Sequence, residues 1–112
     1  MNWNSLQHTD QLQNILKESS EKNILIFKHS TTCSISRATL NRLERNWKEE
    51  EIDVKSYFLD LLTYRELSNK IAEQFDVAHQ SPQVLIIRHG KSVYNRSHFD
   101  IDFKQIKAAL KN

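Results

Sequence analysis

Two uninterrupted apolar runs, Ile24-Leu25-Ile26-Phe27 and Val84-Leu85-Ile86-Ile87, limit the folds open to this chain more than any other feature. A strand with one face in water alternates apolar and polar residues. A strand with no polar interruption is buried on both faces and needs a layer of structure above and below it. The chain carries material for those layers. Leu12, Ile15 and Leu16 recur at helical spacing within residues 10–19, and Ile35, Leu40, Leu43 and Trp47 do so between Ser34 and about Lys48. Leu67, Ile71 and Phe75 predict a third helix over about 64–74, and Phe103, Ile106 and Leu110 a fourth over about 102–110. Thr9 or Asp10 is available to cap the first helix.

The first apolar run predicts a strand over 23–29, and Val54, Tyr57, Phe58 and Leu59 mark another over 53–59. Pro82 introduces the second run, and His89-Gly90-Lys91 reads as a hairpin turn leading to a returning strand over 92–95. The order is helix–strand–helix–strand–helix–strand–strand–helix. Early alternation implies parallel strands joined by helical crossovers, and the terminal hairpin adds an antiparallel edge. The expected fold is α/β and thioredoxin-like: a single domain over 1–112, with a mixed central sheet of about four strands flanked by helices on both faces.

Composition narrows the function. At 112 residues the chain can build one core without disulfide or metal staples. A single cysteine cannot form an internal disulfide, so an oxidising compartment is not indicated. The start of the chain has no basic leader or apolar stretch, and no run approaches the ~18 apolar residues of a membrane span, so a cytoplasmic protein is expected. The net charge of +2 comes from interleaved signs, as in Arg42-Leu43-Glu44-Arg45, which is the pattern of a solvated helix face; nucleic acid is not an expected partner. One glycine and one proline exclude glycine-rich phosphate loops and flexible linkers.

Cys33, that single cysteine, stands between the first predicted strand and the second helix. A thiol at a helix N-terminus meets unpaired backbone N–H groups and the positive end of the helix dipole, both of which favour the thiolate. Thr31 or Thr32 is placed to cap the helix. Three residues after Cys33, where a two-cysteine redox motif carries its partner, stands Ser36, whose hydroxyl is expected to reach the Cys33 sulfur or a mixed disulfide formed there. Lys28, His29 and Arg37 are the candidate thiolate-stabilising groups, although Lys28 and Arg37 also suit positions facing water and His29 suits a strand-end histidine paired to backbone. Ser81-Pro82, immediately before a strand, is where thioredoxin-like proteins hold a cis proline beside the reactive sulfur. The scattered histidines offer no metal-ligand spacing, so no metal is expected. A phosphatase loop would need arginine six positions after the cysteine, where Thr39 stands.

The segment Phe27-Lys28-His29-Ser30-Thr31-Thr32-Cys33-Ser34-Ile35-Ser36, with Ser81-Pro82-Gln83-Val84 and Arg88-His89-Gly90-Lys91, resembles the monothiol bacilliredoxins over nearly the whole chain. The resemblance implies a cytoplasmic thiol–disulfide oxidoreductase that removes bacillithiol from protein mixed disulfides. Its partners would be bacillithiolated client proteins and either bacillithiol or a partner reductase. Bacillithiol would serve as co-substrate, with no tightly bound cofactor. Cys33 would be the nucleophile, Ser36 the replacement for a resolving cysteine, and Thr32, Ser34, Ser81 and Pro82 the residues that bind the thiol substrate. The family more often reads Thr-Cys-Pro-Ile-Ser, so Ser34 departs from it and keeps an N–H that proline lacks. The single Gly90, and the absence of a glycine–phenylalanine pair after the cysteine, separate the chain from the glutaredoxins. The rival readings are a non-catalytic thioredoxin-like binding module with an inert cysteine, and a thiol peroxidase suggested by Ser30-x-x-Cys33. Trp3 has two readings, an anchor on its own domain or on a second subunit.

Overall fold

The structure, a computed structural model, describes residues 1–111. Its five strands are β1 (Trp3–Ser5), β2 (Ile24–His29), β3 (Lys55–Asp60), β4 (Gln83–Arg88) and β5 (Lys91–Ser97). Four α-helices, α1 (Asp10–Glu18), α2 (Ser34–Asn46), α3 (Arg65–Phe75) and α4 (Phe103–Leu110), surround them. Short 3-10 turns cover Glu49–Glu51 and His98–Asp100. The sheet order is β1-β3-β2-β4-β5. β3 runs parallel to both β1 and β2, whereas β4 is antiparallel to β2 and to β5.

All six residues of β2 are buried, and its alternate side chains feed two separate cores. Ile24 and Ile26 join Leu85 and Ile87 of β4, Tyr57 and Leu59 of β3, Leu12 and Ile15 of α1, and Leu67, Ile71 and Phe75 of α3. Leu25 and Phe27 join Val84 and Ile86 of β4, Leu43 of α2, Trp47 and, from α4, Phe103 and Ile106. Helices α1 and α3 therefore cover one face, and α2 and α4 the other. Each fully buried aliphatic side chain contributes about 1.5–3 kcal/mol relative to an exposed one, so both faces hold the sheet.

The local signals act as expected at most boundaries. Asp102 caps α4, its carboxylate accepting from the Gln105 N–H at 3.3 Å. His89 and Gly90 adopt positive φ (52° and 74°), the pair of left-handed residues that a tight hairpin needs to match the twist of β4 and β5. Thr9 occupies the N-cap of α1, although its side chain makes no capping bond.

Two expectations are corrected. The sheet has five strands, not about four, because Trp3–Ser5 pairs in parallel with Ser56–Phe58 at the edge. Three residues, two of them polar, carry no periodic signal; pairing and the Trp3 ring create the strand. That ring packs against Phe27 and Phe58 at centroid distances of 5.9 and 5.6 Å, and its Nε1–H donates to Glu44 of α2 at 3.1 Å. Trp3 thus anchors on its own domain. The inward face of α2 also differs from the predicted stripe. Ser36, Thr39 and Leu43 are buried, whereas Ile35 is 41% exposed.

Replacing Ile26, which is fully buried between β3 and β4, by alanine is expected to lower unfolding free energy by about 3 kcal/mol in urea titrations. Phe99→Ala, at a side chain 70% exposed, should leave the midpoint nearly unchanged.

Candidate active site

Antiparallel pairing of Lys28 with Gln83 brings the end of β2 and the start of β4 to one end of the sheet. Residues 30–33 leave β2 there, and Ser81-Pro82 enters β4 there. Cys33 is the N-cap of α2, with extended backbone (φ −96°, ψ 119°). Its N–H donates to the Ser30 carbonyl at 3.2 Å, closing the turn, and its own carbonyl accepts from the Arg37 N–H at 3.1 Å as the first helical bond. The helix therefore starts on Cys33 itself; Thr31 and Thr32 are exposed, and no side chain among the described residues caps α2. This corrects the expectation of a threonine cap. The side chain at an N-cap is the one nearest the orphan first-turn N–H groups, and here it is a half-buried thiol.

Ser36 is fully buried. Its Oγ accepts from the Ser30 N–H at 3.1 Å and lies 2.7 Å from His29 Nδ1. The hydroxyl expected to reach the Cys33 sulfur is thus bonded to the end of β2 instead. The physical reason is local: Ser30 N–H and the His29 ring are buried polar groups, and leaving either unpaired would cost about 1–3 kcal/mol. The pair has two proton arrangements. With Nδ1 bare, the Ser36 O–H donates to it. With Nδ1 protonated, the ring donates to Oγ, and the Ser36 O–H is free to turn to another acceptor.

His29 is buried against the rings of Phe58 and Phe27, at centroid distances of 5.3 and 6.1 Å. Its side-chain partner is Ser36, where a backbone partner was the expectation. Burial lowers its pKa from the ordinary imidazole value; the Asp60 and Glu44 carboxylates oppose the shift and Arg37 adds to it. At neutral pH the ring is therefore uncharged, a hydrogen-bonding group and not a cation.

Arg37 is exposed one turn after Cys33, and Ser34 is exposed in the first turn of α2. The Ser81–Pro82 bond is cis, the geometry the resemblance implied. Pro82 is buried, and its carbonyl accepts from the His98 N–H at 3.0 Å. The His98–Asp100 turn in turn lies against α2, so the exposed Phe99 stands on the segment bordering the Cys33–Pro82 end. Phe99 escaped the sequence reading because a lone aromatic in a polar stretch has no periodic context.

Lys28 departs most from expectation. It is fully buried, and strand alternation sends it to the face opposite Phe27 and His29, away from α2. Its ammonium donates to the Ser68 carbonyl at 3.1 Å and to His79 Nδ1 at 3.4 Å. It neither faces water nor shares the α2 face on which the thiol's helix begins.

A half-buried thiol on a helix N-terminus, a cis proline at the same end of the sheet, and no second cysteine form a monothiol exchange site. The sequence profile of the family described as monothiol bacilliredoxin BrxC matches residues 4–106. The chain belongs to the monothiol bacilliredoxin family. A solved structure described as a candidate oxidoreductase with a thioredoxin fold is 31% identical, with a TM-score of 0.82, covering 96% of this chain and 92% of its own. Thioredoxin from Trypanosoma brucei brucei shares the fold at 17% identity and a TM-score of 0.75, with 98% and 88% of the two chains covered. Thioredoxin from Fasciola hepatica does so at 19% and 0.70, with 96% and 95% covered. The bacilliredoxin is thus a thiol–disulfide oxidoreductase of the monothiol type, and it works on thiol substrates.

Ser36→Ala should strand Ser30 N–H and His29 Nδ1 and cost about 1–3 kcal/mol in guanidinium unfolding. The lowered His29 pKa carries a definite sign. Below the ordinary value of 6.5 the unfolded chain takes up protons before the folded one, so stability falls with pH in that range. His79 is shifted in the same direction and adds to the decline. Unfolding measured at pH 7.5 and 5.5 should show a smaller loss for His29→Gln than for the parent; equal losses would remove His29 from the effect.

Proposed function

We propose that this bacilliredoxin removes bacillithiol from protein mixed disulfides. The Cys33 thiolate attacks the bacillithiol sulfur, a Cys33–bacillithiol disulfide forms, and the client leaves as a thiolate that takes a proton. The observation that carries the reading is Cys33 at the N-cap of α2, the only thiol in a chain whose family profile spans nearly its full length. With no resolving cysteine, a second thiol, either bacillithiol or a partner reductase, must attack the Cys33 disulfide and return the thiolate. Bacillithiol is then a co-substrate and not a resident cofactor, and bacillithiolated proteins of the cytoplasm are the clients.

Thr32 and Ser34 line the polar approach to Cys33. Ser81 and Pro82, joined by the cis bond, stand at the neighbouring strand end, where a mixed disulfide is held for in-line attack. Ser36, tied to His29 and to the Ser30 N–H, fixes the first turn of the helix that starts on Cys33.

Intact mass spectrometry of the reduced protein mixed with a bacillithiol-capped client should show one bacillithiol added to Cys33 and the client freed. A glutathione-capped client should react more slowly, and Cys33→Ser should form no adduct. No adduct with either capped client would overturn the assignment and favour a binding module with an inert thiol.

A further inference from the structure

On the face of the sheet opposite His29, a second polar cluster is buried beneath the segment leading to Pro82. Lys28 is 0% exposed and donates to the Ser68 carbonyl of α3 and to Nδ1 of His79. The Ser68 hydroxyl lies 3.3 Å from that same nitrogen. Gln83, paired with Lys28 across the β2–β4 ladder and also buried, donates through Nε2 to the Ala78 carbonyl at 3.0 Å, while its Oε1 has no partner among the described residues. Two side chains at adjacent strand ends therefore grip the 76–82 loop, one at Ala78 and the other at His79.

The chemistry of this grip is unusual for a structural device. A buried ammonium needs a counter-charge to offset its desolvation. Among the described residues no carboxylate bonds to Lys28. The titratable side chain in contact with it is His79, from the loop. α3 presents the Ser68 carbonyl, with Arg65 acting on His79, while β3 and β4 present Leu59 and Gln83 at the register positions beside it. His79 is itself held below the ordinary imidazole pKa, first by burial and then by Lys28 and Arg65. It is uncharged at neutral pH, and its Nδ1 lone pair accepts from Lys28.

We propose that Lys28 is a positioning residue for thiol–disulfide exchange: through His79 and Ser68 it holds the 76–82 loop, and with it the Ser81–Pro82 segment, at the Cys33 end of the sheet, at a net cost to fold stability. The inference rests on exchange at Cys33 and not on the identity of the thiol that is exchanged. A well-packed apolar replacement would stabilise the fold better than an unpaired ammonium, so the charge is retained for the loop. The same geometry makes the grip pH-dependent. Burial pushes the Lys28 pKa down to about 8, so its charge-assisted bonds weaken above that pH. Because this value lies below the unfolded 10.5, the cost of the buried charge is present in full below about pH 8 and disappears as pH rises toward 10.5.

Lys28→Met tests the proposal, with His79→Ala, at an exposed position, as the variant that keeps the core intact. Three readouts are expected together for Lys28→Met. Thermal stability at pH 7 is unchanged or raised, and the rise in stability between pH 8 and 10.5 disappears. Cleavage by subtilisin within residues 77–81 accelerates about tenfold while the amides of β2 and β4 stay protected from hydrogen exchange. Exchange of a glutathione-capped peptide slows about tenfold while alkylation of Cys33 by iodoacetamide keeps its parent rate. His79→Ala should reproduce the loop and exchange effects, and the double variant should add little to either single one. Parent-like protection of the loop in both variants would overturn the proposal. So would a global loss of protection with lowered stability in Lys28→Met, which would mark Lys28 as an ordinary structural residue.

Discussion

Burial of β2 on both faces is the constraint from which the rest of the molecule follows. A strand in that position cannot send any side chain to water, so every residue along it has to be reconciled with a core. Through Phe27 the sequence satisfies this with aliphatic and aromatic groups divided between two hydrophobic clusters. At Lys28 and His29 the strand continues but the apolar supply ends, and two ionisable groups enter the interior on opposite sides of the sheet. Each then needs polar partners from whatever covers its face. α2 supplies Ser36 to His29. α3 and the loop before β4 supply the Ser68 carbonyl and His79 to Lys28.

The active end of the bacilliredoxin is built from those two obligations. On one side, Ser36 turns inward because His29 and Ser30 N–H are buried and demand it, and that inward turn sets the rotation of the first turn of α2 on which Cys33 sits. Ile35 is left outside as a result, and Thr39 follows Ser36 into the interior. On the other side, Lys28 and Gln83 reach the loop that delivers Pro82. Thiol and proline thus approach one another because two neighbouring strand ends are each tied to the element that carries one of them.

Much of this was legible in the chain. Double-sided strands, helical stripes and the His89-Gly90 turn specify an α/β sheet covered on both faces, because burial and turn chemistry are local and periodic. Cys33 at a strand-to-helix junction and Pro82 before a strand were visible for the same reason: both are markers of element boundaries. The direction of a polar side chain inside the fold was not visible. Lys28 reads as a surface base because lysine is seldom buried, and Ser36 reads as a partner of Cys33 because sequence spacing places them one turn apart. β1 escaped because Trp3–Ser5 has no pattern of its own and becomes a strand only by pairing with β3.

The fold class, the order of the long elements, the place of the single thiol and the monothiol character were all written in the chain, because they depend on residue type and local periodicity. Tertiary structure alone decided that His29 and Lys28 leave opposite faces of one buried strand, that Ser36 answers to His29, and that His79 and Ser68 answer to Lys28. The reason is physical. A hydrophobic residue needs only to be out of water and its pattern says so, whereas a buried polar group needs a particular partner at about 3 Å. Those partners lie 7, 40 and 51 residues away in sequence, brought within reach only by the completed fold.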